Sequence, residues 1–448
     1  MAKAHSTWRC QQCGYSAPKW LGRCPECGEF GTLVEEIISS AASLSLGAPG
    51  VARPVIALAD VTVNPQMRVA TGINELDTVL GGGLVRGSVV LIGGEPGIGK
   101  STLLLQVAGR LGNRDLPVLY VCGEESPQQV RSRADRVGAS AGISLLAEVD
   151  VAAIEATILA VRPAVVIVDS IQTLYDPALE GVPGSVGQVR ASAARLVRLA
   201  KAHDITIIVV GHVTKDGSIA GPRVLEHVVD TVLYFEGDAD HAFRIVRAAK
   251  NRFGSVAEIG IFEMSETGLA EVDQPSSALL AQRAGGVPGS VVLAAVEGSR
   301  ALLVEVQALV TPSYLQVPRR LSVGIETARL LQVLAILERR AGVALGSHDV
   351  YVSIAGGVRV NEPAIDLPLA LALHSAMKDR AVPHDAVAFG ELGLTGDVRR
   401  VPHAGVRLRE AGRMGFGQAI VPEGTACTEA PVCAPARTLS AALALIWP

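Results

Sequence analysis

The stretch from Ser88 to Gln106, SVVLIGGEPGIGKSTLLLQ, constrains this chain more than any other. Val89, Val90, Leu91 and Ile92 form an apolar run of strand length, Gly93 to Gly99 read as a tight loop, and from Lys100 onward the pattern is helical. Gly94, Glu95, Pro96, Gly97, Ile98, Gly99, Lys100, Ser101 and Thr102 therefore sit between a buried strand and a helix. That is the context a phosphate-binding loop needs. Its glycines let successive backbone N–H groups converge on phosphate oxygens where a Cβ would obstruct them. Lys100 is placed to reach the β- and γ-phosphates, and the Ser101 hydroxyl to ligate Mg²⁺. The dipole of the following helix points its positive end at the same anion. ATP binding is the expectation.

A chain of 448 residues is long enough for two or three domains with separate cores. With 49% apolar and 19% charged residues it reads as globular rather than disordered. The formal net charge of −4 gives no bulk argument for a nucleic-acid partner, so any basic surface has to be local. The opening MAKAHSTWRC has no apolar signal core, and no uninterrupted apolar run reaches the roughly 18 residues of a membrane span. A cytoplasmic location without a membrane partner is expected. Four of the seven cysteines fall within the first thirty residues, while Cys122, Cys427 and Cys433 are scattered, which is not a disulfide framework.

Those four cysteines form two C-x-x-C pairs, Cys10 with Cys13 and Cys24 with Cys27, each followed by a glycine, Gly14 or Gly28. In such a knuckle both thiolates of a pair face one ion, and the glycine permits the turn that aims N–H groups at sulfur. A closed Cys₄ structural zinc site in a compact, rubredoxin-like knuckle pair over residues 1–38 follows. So short a segment buries too little apolar surface to fold alone, and Zn²⁺ supplies the missing free energy. Trp8, Tyr15 and Trp20, with Lys19 and Arg23, either pack over the metal or stack on bases. Residues 39–65, rich in Ala, Ser, Gly and Pro, read as a linker.

An α/β ATPase domain is expected over 66–273. Thr71 to Leu84 reads as a short helix and a glycine turn feeding the first core strand. Pro117 to Ser126 is a second buried strand ending in carboxylates, Glu124 and Glu125, either of which suits the base that polarises an attacking water; a helix cap is the alternative. Ala164 to Asp169 has the form of a Walker B strand, its Asp169 carboxylate holding Mg²⁺. A helix over Val186 to His203 leads to a strand over Ile205 to Gly211 and then to HVTKDG. There His212 or Thr214 is placed to sense the γ-phosphate, and Lys215 to meet a nucleic-acid backbone. After a strand pair, Asp230 to Phe235 and Phe243 to Arg247, comes Lys250-Asn251-Arg252-Phe253-Gly254. This dense polar cluster is either a basic surface turn or an arginine-finger element in which Lys250 and Arg252 reach a neighbouring subunit's γ-phosphate.

The order of a Cys₄ knuckle, GEPGIGKST, VVIVDSIQT, GHVTKDG and KNRFG resembles the bacterial RadA (Sms) DNA-repair protein family over nearly the whole chain. The resemblance implies a RecA-like core and a DNA-dependent, helicase-like ATPase. It also implies a hexameric ring acting on single-stranded and branched DNA in recombination, with the recombinase and other recombination proteins as partners. It assigns the catalytic glutamate to Glu124, Walker B to Asp169, and DNA binding with ATP turnover to Lys250, Asn251, Arg252, Phe253 and Gly254.

A further linker is expected over 274–289 and a separate α/β domain over 290–448. Strands at Ser290 to Val296, Ala301 to Leu309 and Asp349 to Ile354 and a helix at Glu326 to Arg340 define it. The segments from Gly356 to Leu367 and from Gly390 to Gly396 resemble the proteolytic domain of Lon proteases. A Lon-type peptidase needs a serine nucleophile and a lysine base. Here the serine position falls at Ala364 and the lysine position near Gly405, so a non-proteolytic scaffold is expected, with Arg359, Arg399 and Arg400 available to DNA phosphates. An ATP-dependent peptidase and a nucleotide-gated DNA platform without motor activity are the competing functions.

Overall fold

The computed structural model describes residues 5–10, 15–26, 28–38, 68–139, 141–212, 223–237, 243–427 and 431–447. The expected linker over 39–65, and Cys13, Cys27, Thr214 and Lys215, lie outside the described residues. Two compact units divide the chain. One comprises Met1–Glu236, Val246–Val256 and Ser265–Leu269, the other Gly237–Ile245, Ala257–Met264 and Ala270–Pro448.

At the amino terminus His5–Cys10 is the middle strand of a three-stranded antiparallel sheet, flanked by Ser16–Ala17 and Leu33–Ile38. Among the described residues the buried cluster is Cys10, Ala17, Cys24 and Leu33, with Trp8, Tyr15 and Leu21 packed against it. Two of its four buried members are thiols, so apolar burial alone is a weak basis for this fold.

In the ATPase core, helix α1 (Asn74–Leu80) ends at Gly81 in the left-handed conformation, as the glycine turn predicts. There follow β1 (Val89–Gly94), α2 (Lys100–Gly112), β2 (Val118–Cys122), α3 (Pro127–Arg136), β3 (Ile143–Leu146), α4 (Val151–Val161) and β4 (Val165–Asp169). Next come α5 (Val186–His203), β5 (Thr206–His212), α6 (Arg223–Val228) and β6 (Thr231–Glu236). The strands lie side by side in the order β6-β1-β5-β4-β2-β3, with parallel pairing throughout. β1, β2 and β4 are buried at every position, as continuous apolar runs in a sheet covered on both faces must be. Parallel pairing brings the carboxyl ends of β1, β5, β4 and β2 to one edge of the sheet, and the phosphate loop leaves from that edge.

The second unit carries α7 (Pro275–Leu280), β7 (Ser290–Glu297), β8 (Arg300–Pro312), β9 (Arg320–Val323), α8 (Thr327–Ala341), β10 (His348–Ile354) and α9 (Asp366–Lys378). β11 (Ala386–Ala388), α10 (Ala404–Arg413), β12 (Gln418–Pro422), β13 (Val432–Ala436) and α11 (Leu439–Ile446) complete it. Its mixed sheet runs β9-β10-β8-β7-β11-β12-β13. The stretch 274–289, read as a linker, contains α7: Pro275 starts the helix, and Ser276 and Leu279 are buried. Cys427 and Cys433, read as scattered thiols, form a disulfide. Cys427 follows β12 and Cys433 lies in the adjacent parallel strand β13, with their Cα atoms 6.2 Å apart.

Candidate active site

Gly99, at the amino end of α2, has φ of 116°, a conformation L side chains rarely adopt, and the loop turns there into the helix. Lys100 is 4% exposed and donates to the carbonyls of Gly94 and Glu95, each at 2.8 Å. Burial lowers its pKa, against the opposing charges of Asp169, Glu124 and Glu95. Those three acids therefore surround one buried ammonium. The residues present fit a magnesium nucleotide. The lysine's neighbours are backbone carbonyls and acids, Ser101 and Asp169 offer the hard oxygen donors Mg²⁺ prefers, and a Cβ at Gly97 would meet nothing within 4 Å.

Asp169 closes β4 beside the loop, and its Oδ2 accepts a 2.5 Å hydrogen bond from the buried Tyr120 hydroxyl. Burial, reinforced by the Asp169 charge, pushes the phenol well above its ordinary pKa. The peptide bond from Asp169 to Ser170 is cis. Glu124 and Glu125, adjacent in sequence, have separate partners. Glu125 accepts from Arg133 of α3 at 2.5 Å, whereas Glu124 Oε1 accepts from Ser170 Oγ and lies 2.9 Å from His212 Nε2. The bond from His212 holds the Glu124 carboxyl below its ordinary pKa, burial opposes this, and Ser170 adds to it. The cap of α3 is Ser126, boxed with Gln129, so neither acid serves as the N-cap.

Lys250 to Gly254 lie at the other edge of the sheet. Asp230, 2% exposed and just before β6, takes the backbone N–H of Val89 on Oδ2 at 3.1 Å and Arg252 Nη1 on Oδ1 at 2.9 Å. Val89 begins β1 and Gly94 ends it, a separation of about 17 Å at strand rise. Lys250 Nζ donates to the carbonyls of Glu226 and Val229 at 2.6 and 2.8 Å, closing the end of α6. Burial lowers its pKa, and the Arg252 charge adds to that. Asn251 Nδ2 reaches the carbonyls of Val79 and Leu80, and its Oδ1 accepts from Phe253 N at 3.0 Å. Arg68 Nη2 donates to the Phe253 carbonyl at 2.5 Å. A Cβ on Gly254 would come within 3.3 Å of Gly81 Cα, which is why the smallest residue ends the motif. Arg252 keeps about half of its side chain in solvent and Phe253 is 37% exposed.

In the amino-terminal module Cys10 N donates to Tyr15 O and Cys24 N to Glu29 O, each at 2.8 Å, and Gly28 has φ of 78°. Cys10 and Cys24, one thiol of each C-x-x-C pair, are buried. This donor chemistry fits zinc. In the second unit Ala364 is buried in a short 3₁₀ turn, and Gly405 lies in the first turn of α10. Neither offers a reactive atom. Arg359, Arg399 and Arg400 are exposed, and Arg399 already holds Asp397 at 2.6 Å.

Residues 55–218 match the family model of an AAA domain, residues 8–35 that of a rubredoxin metal-binding domain, and residues 325–425 that of subunit ChlI of Mg-chelatase. The DNA repair protein RadA of Pseudomonas aeruginosa is 51% identical over 434 residues, covering 96% of each chain. The RadA proteins of Bacillus subtilis and Brucella abortus are 49% and 50% identical over 94% and 95% of this chain, each covered over 93% of its own length. The chain belongs to the RadA family of DNA repair proteins. As a RadA family member it joins an amino-terminal zinc-ribbon module, a RecA-like ATPase core and a Lon-protease-like α/β domain, the architecture its motif order implies. Among the described residues no helix is long and apolar enough to cross a membrane.

Three site residues of this RadA family member escaped the sequence reading: Tyr120, Ser170 and Asp230. Tyr120 reads as one more apolar strand position, and only the alternation of β2 beside β4 brings its hydroxyl to Asp169. Asp230 has a fainter mark, a lone acid opening an apolar strand.

Proposed function

We propose that this protein is a DNA-stimulated ATPase of DNA repair, a homohexameric ring that moves single strands and branched recombination intermediates by ATP hydrolysis. The observation that carries the reading is the position of Arg252, at the edge of the core sheet opposite Lys100. A half-exposed guanidinium about a strand length from its own phosphate loop is suited to a neighbouring subunit's nucleotide. A ring of identical subunits provides that neighbour.

In this reading Gly94 to Thr102 hold the triphosphate, and Lys100 leaves its loop carbonyls for the β- and γ-oxygens. Ser101 and Asp169 would hold Mg²⁺, which supplies charge neutralisation on the transferring phosphoryl group. Glu124 accepts a proton from the water that attacks the γ-phosphorus, and the bond to the β–γ bridging oxygen breaks. The released energy is passed to DNA through Lys215 and the Lys250 to Gly254 segment. The zinc module and the Lon-like domain serve as DNA or protein contacts and as ring scaffold. The burial of Ala364 where a nucleophile is needed supports a domain without peptidase activity.

The deciding measurement is the steady-state rate of ATP hydrolysis with and without single-stranded DNA, together with branch movement on a forked substrate. Stimulation with strand movement is expected. Stimulation without movement would favour a nucleotide-gated platform, and hydrolysis at one rate under both conditions would overturn the reading.

A further inference from the structure

We infer that Ser170 and His212 are positioning residues for Glu124, anchoring one carboxylate oxygen so that the other stays open to the attacking water. The inference rests on the reading of Glu124 as proton acceptor. It replaces the expectation that His212 senses the γ-phosphate.

Three strands cooperate. Glu124 follows β2, Ser170 follows β4, and His212 ends β5; β4 lies between the other two. Both donors converge on Glu124 Oε1, and among the described residues Oε2 has no hydrogen-bond partner. A carboxylate only accepts, so the His212 proton is on Nε2. Among the described residues His212 Nδ1 is buried without a partner, and the ring's hydrogen bond goes to Glu124. His212 also pairs in register with Gly94, the first residue of the phosphate loop, so the imidazole ties the glutamate to the loop's own strand.

The anchors are themselves held. Ser170 is fully buried, and its carbonyl accepts from Thr173 Oγ1 at 2.8 Å. Gly123 N donates to the Asp169 carbonyl at 2.9 Å, fixing the backbone immediately before Glu124. Glu124 itself is only partly buried, and an acidic side chain with several rotatable bonds would sample many poses without these contacts. Misplacing a catalytic group by about 1 Å costs as much as 10²-fold in rate, so two donors on one oxygen have a kinetic consequence.

The test uses the full-length chain with ATP, Mg²⁺ and single-stranded DNA, and measures kcat and KM separately for His212→Ala, His212→Gln, Ser170→Ala and Glu124→Gln. Expected are a fall in kcat of roughly 10- to 100-fold for His212→Ala with KM unchanged, and recovery of most of the loss in His212→Gln, whose amide restores a donor. In the Glu124→Gln background His212→Ala should cost nothing further, because the two residues act as a unit. A raised KM with kcat intact would make His212 a phosphate contact and overturn the inference, as would an added loss in the Glu124→Gln background. Should Ser170→Ala lower the melting temperature, the His212 pair of variants carries the decision. Full turnover by Glu124→Gln is a different result, sinking the reading of Glu124 itself.

Discussion

Arg252 and Asp230 are joined across 2.9 Å at the edge of the core sheet from which no phosphate loop leaves. The pair is asymmetric: Asp230 is almost wholly buried and Arg252 half in water. Asp230 also receives Val89 N, and Lys201 lies 3.6 Å away, so it keeps partners when Arg252 is removed. Arg252→Ala should therefore lower stability by only about 1 kcal/mol, the range for a solvent-screened pair. In the assembled ring the same substitution should cut hydrolysis on the order of 10³-fold if the guanidinium acts on a neighbour's nucleotide. Urea denaturation gives the first quantity and phosphate release the second. Near-normal turnover in rings built wholly of Arg252→Ala subunits would contradict the proposal.

Lys100→Ala removes the buried cation on which the charges of Asp169, Glu124 and Glu95 act. Hydrolysis should fall by roughly 10²-fold or more, because transition-state charge loses its fixed partner. Nucleotide affinity should fall as well, measured by equilibrium binding of a fluorescent analogue. Retained turnover would refute the site.

The Tyr120 phenol is raised above its ordinary pKa by burial and then by Asp169, so the folded chain holds that proton more tightly than the unfolded chain does. Its contribution to stability is complete below about pH 10, the unfolded phenol value, and is lost as pH climbs toward the folded one. The urea midpoint of the wild type should thus decline above about pH 10, by at most about 1.4 kcal/mol per pH unit from this group. Tyr120→Phe should remove that component while costing about 1.5–3 kcal/mol at neutral pH for the lost bond to Asp169. Identical alkaline slopes in the two proteins would assign the decline to other groups.

In the Lon-like unit Arg407, 1% exposed, makes two hydrogen bonds to Glu362, at 2.8 and 2.5 Å, and one to the Ala294 carbonyl at 2.6 Å. Glu362→Ala leaves a buried cation without its counter-charge and should cost about 3–5 kcal/mol. Glu362→Leu with Arg407→Met should recover much of it, since paired charges repay their desolvation poorly. Trp447, tilted against His374 with ring centroids 4.6 Å apart, offers a fluorescence probe of this unit once Trp8 and Trp20 are replaced by Phe. A double variant no more stable than Glu362→Ala would argue against this balance of charges.

Elements with local causes were legible in the sequence. The helix from Val186 to His203 and the start of α2 at Lys100 follow from side-chain period and from glycine, and both are where that pattern puts them. The anchoring of Glu124 was not legible, because its donors are 46 and 88 residues away and meet only when β5, β4 and β2 align. The same applies to Lys250, which composition marks as a free cation and which the fold commits to the end of α6. α7 was missed because Pro, Ser and Gly dominate its neighbourhood, although Pro at a first helical position is itself a start signal. Cys427 and Cys433 carry no signature beyond proximity in sequence. The return of the chain into β13 brings Cys433 back to Cys427.

Val89 begins β1 beside Asp230, and Gly94 ends it at the phosphate loop. One short strand is thus the ruler between the basic motif and the triphosphate grip. Point substitutions can retune the chemistry at either tip, but resetting the span takes an insertion or deletion within a fully buried strand, which would throw every parallel neighbour out of step. The distance from Asp230 to the phosphate loop is therefore a fixed dimension of the core rather than a property of either site alone.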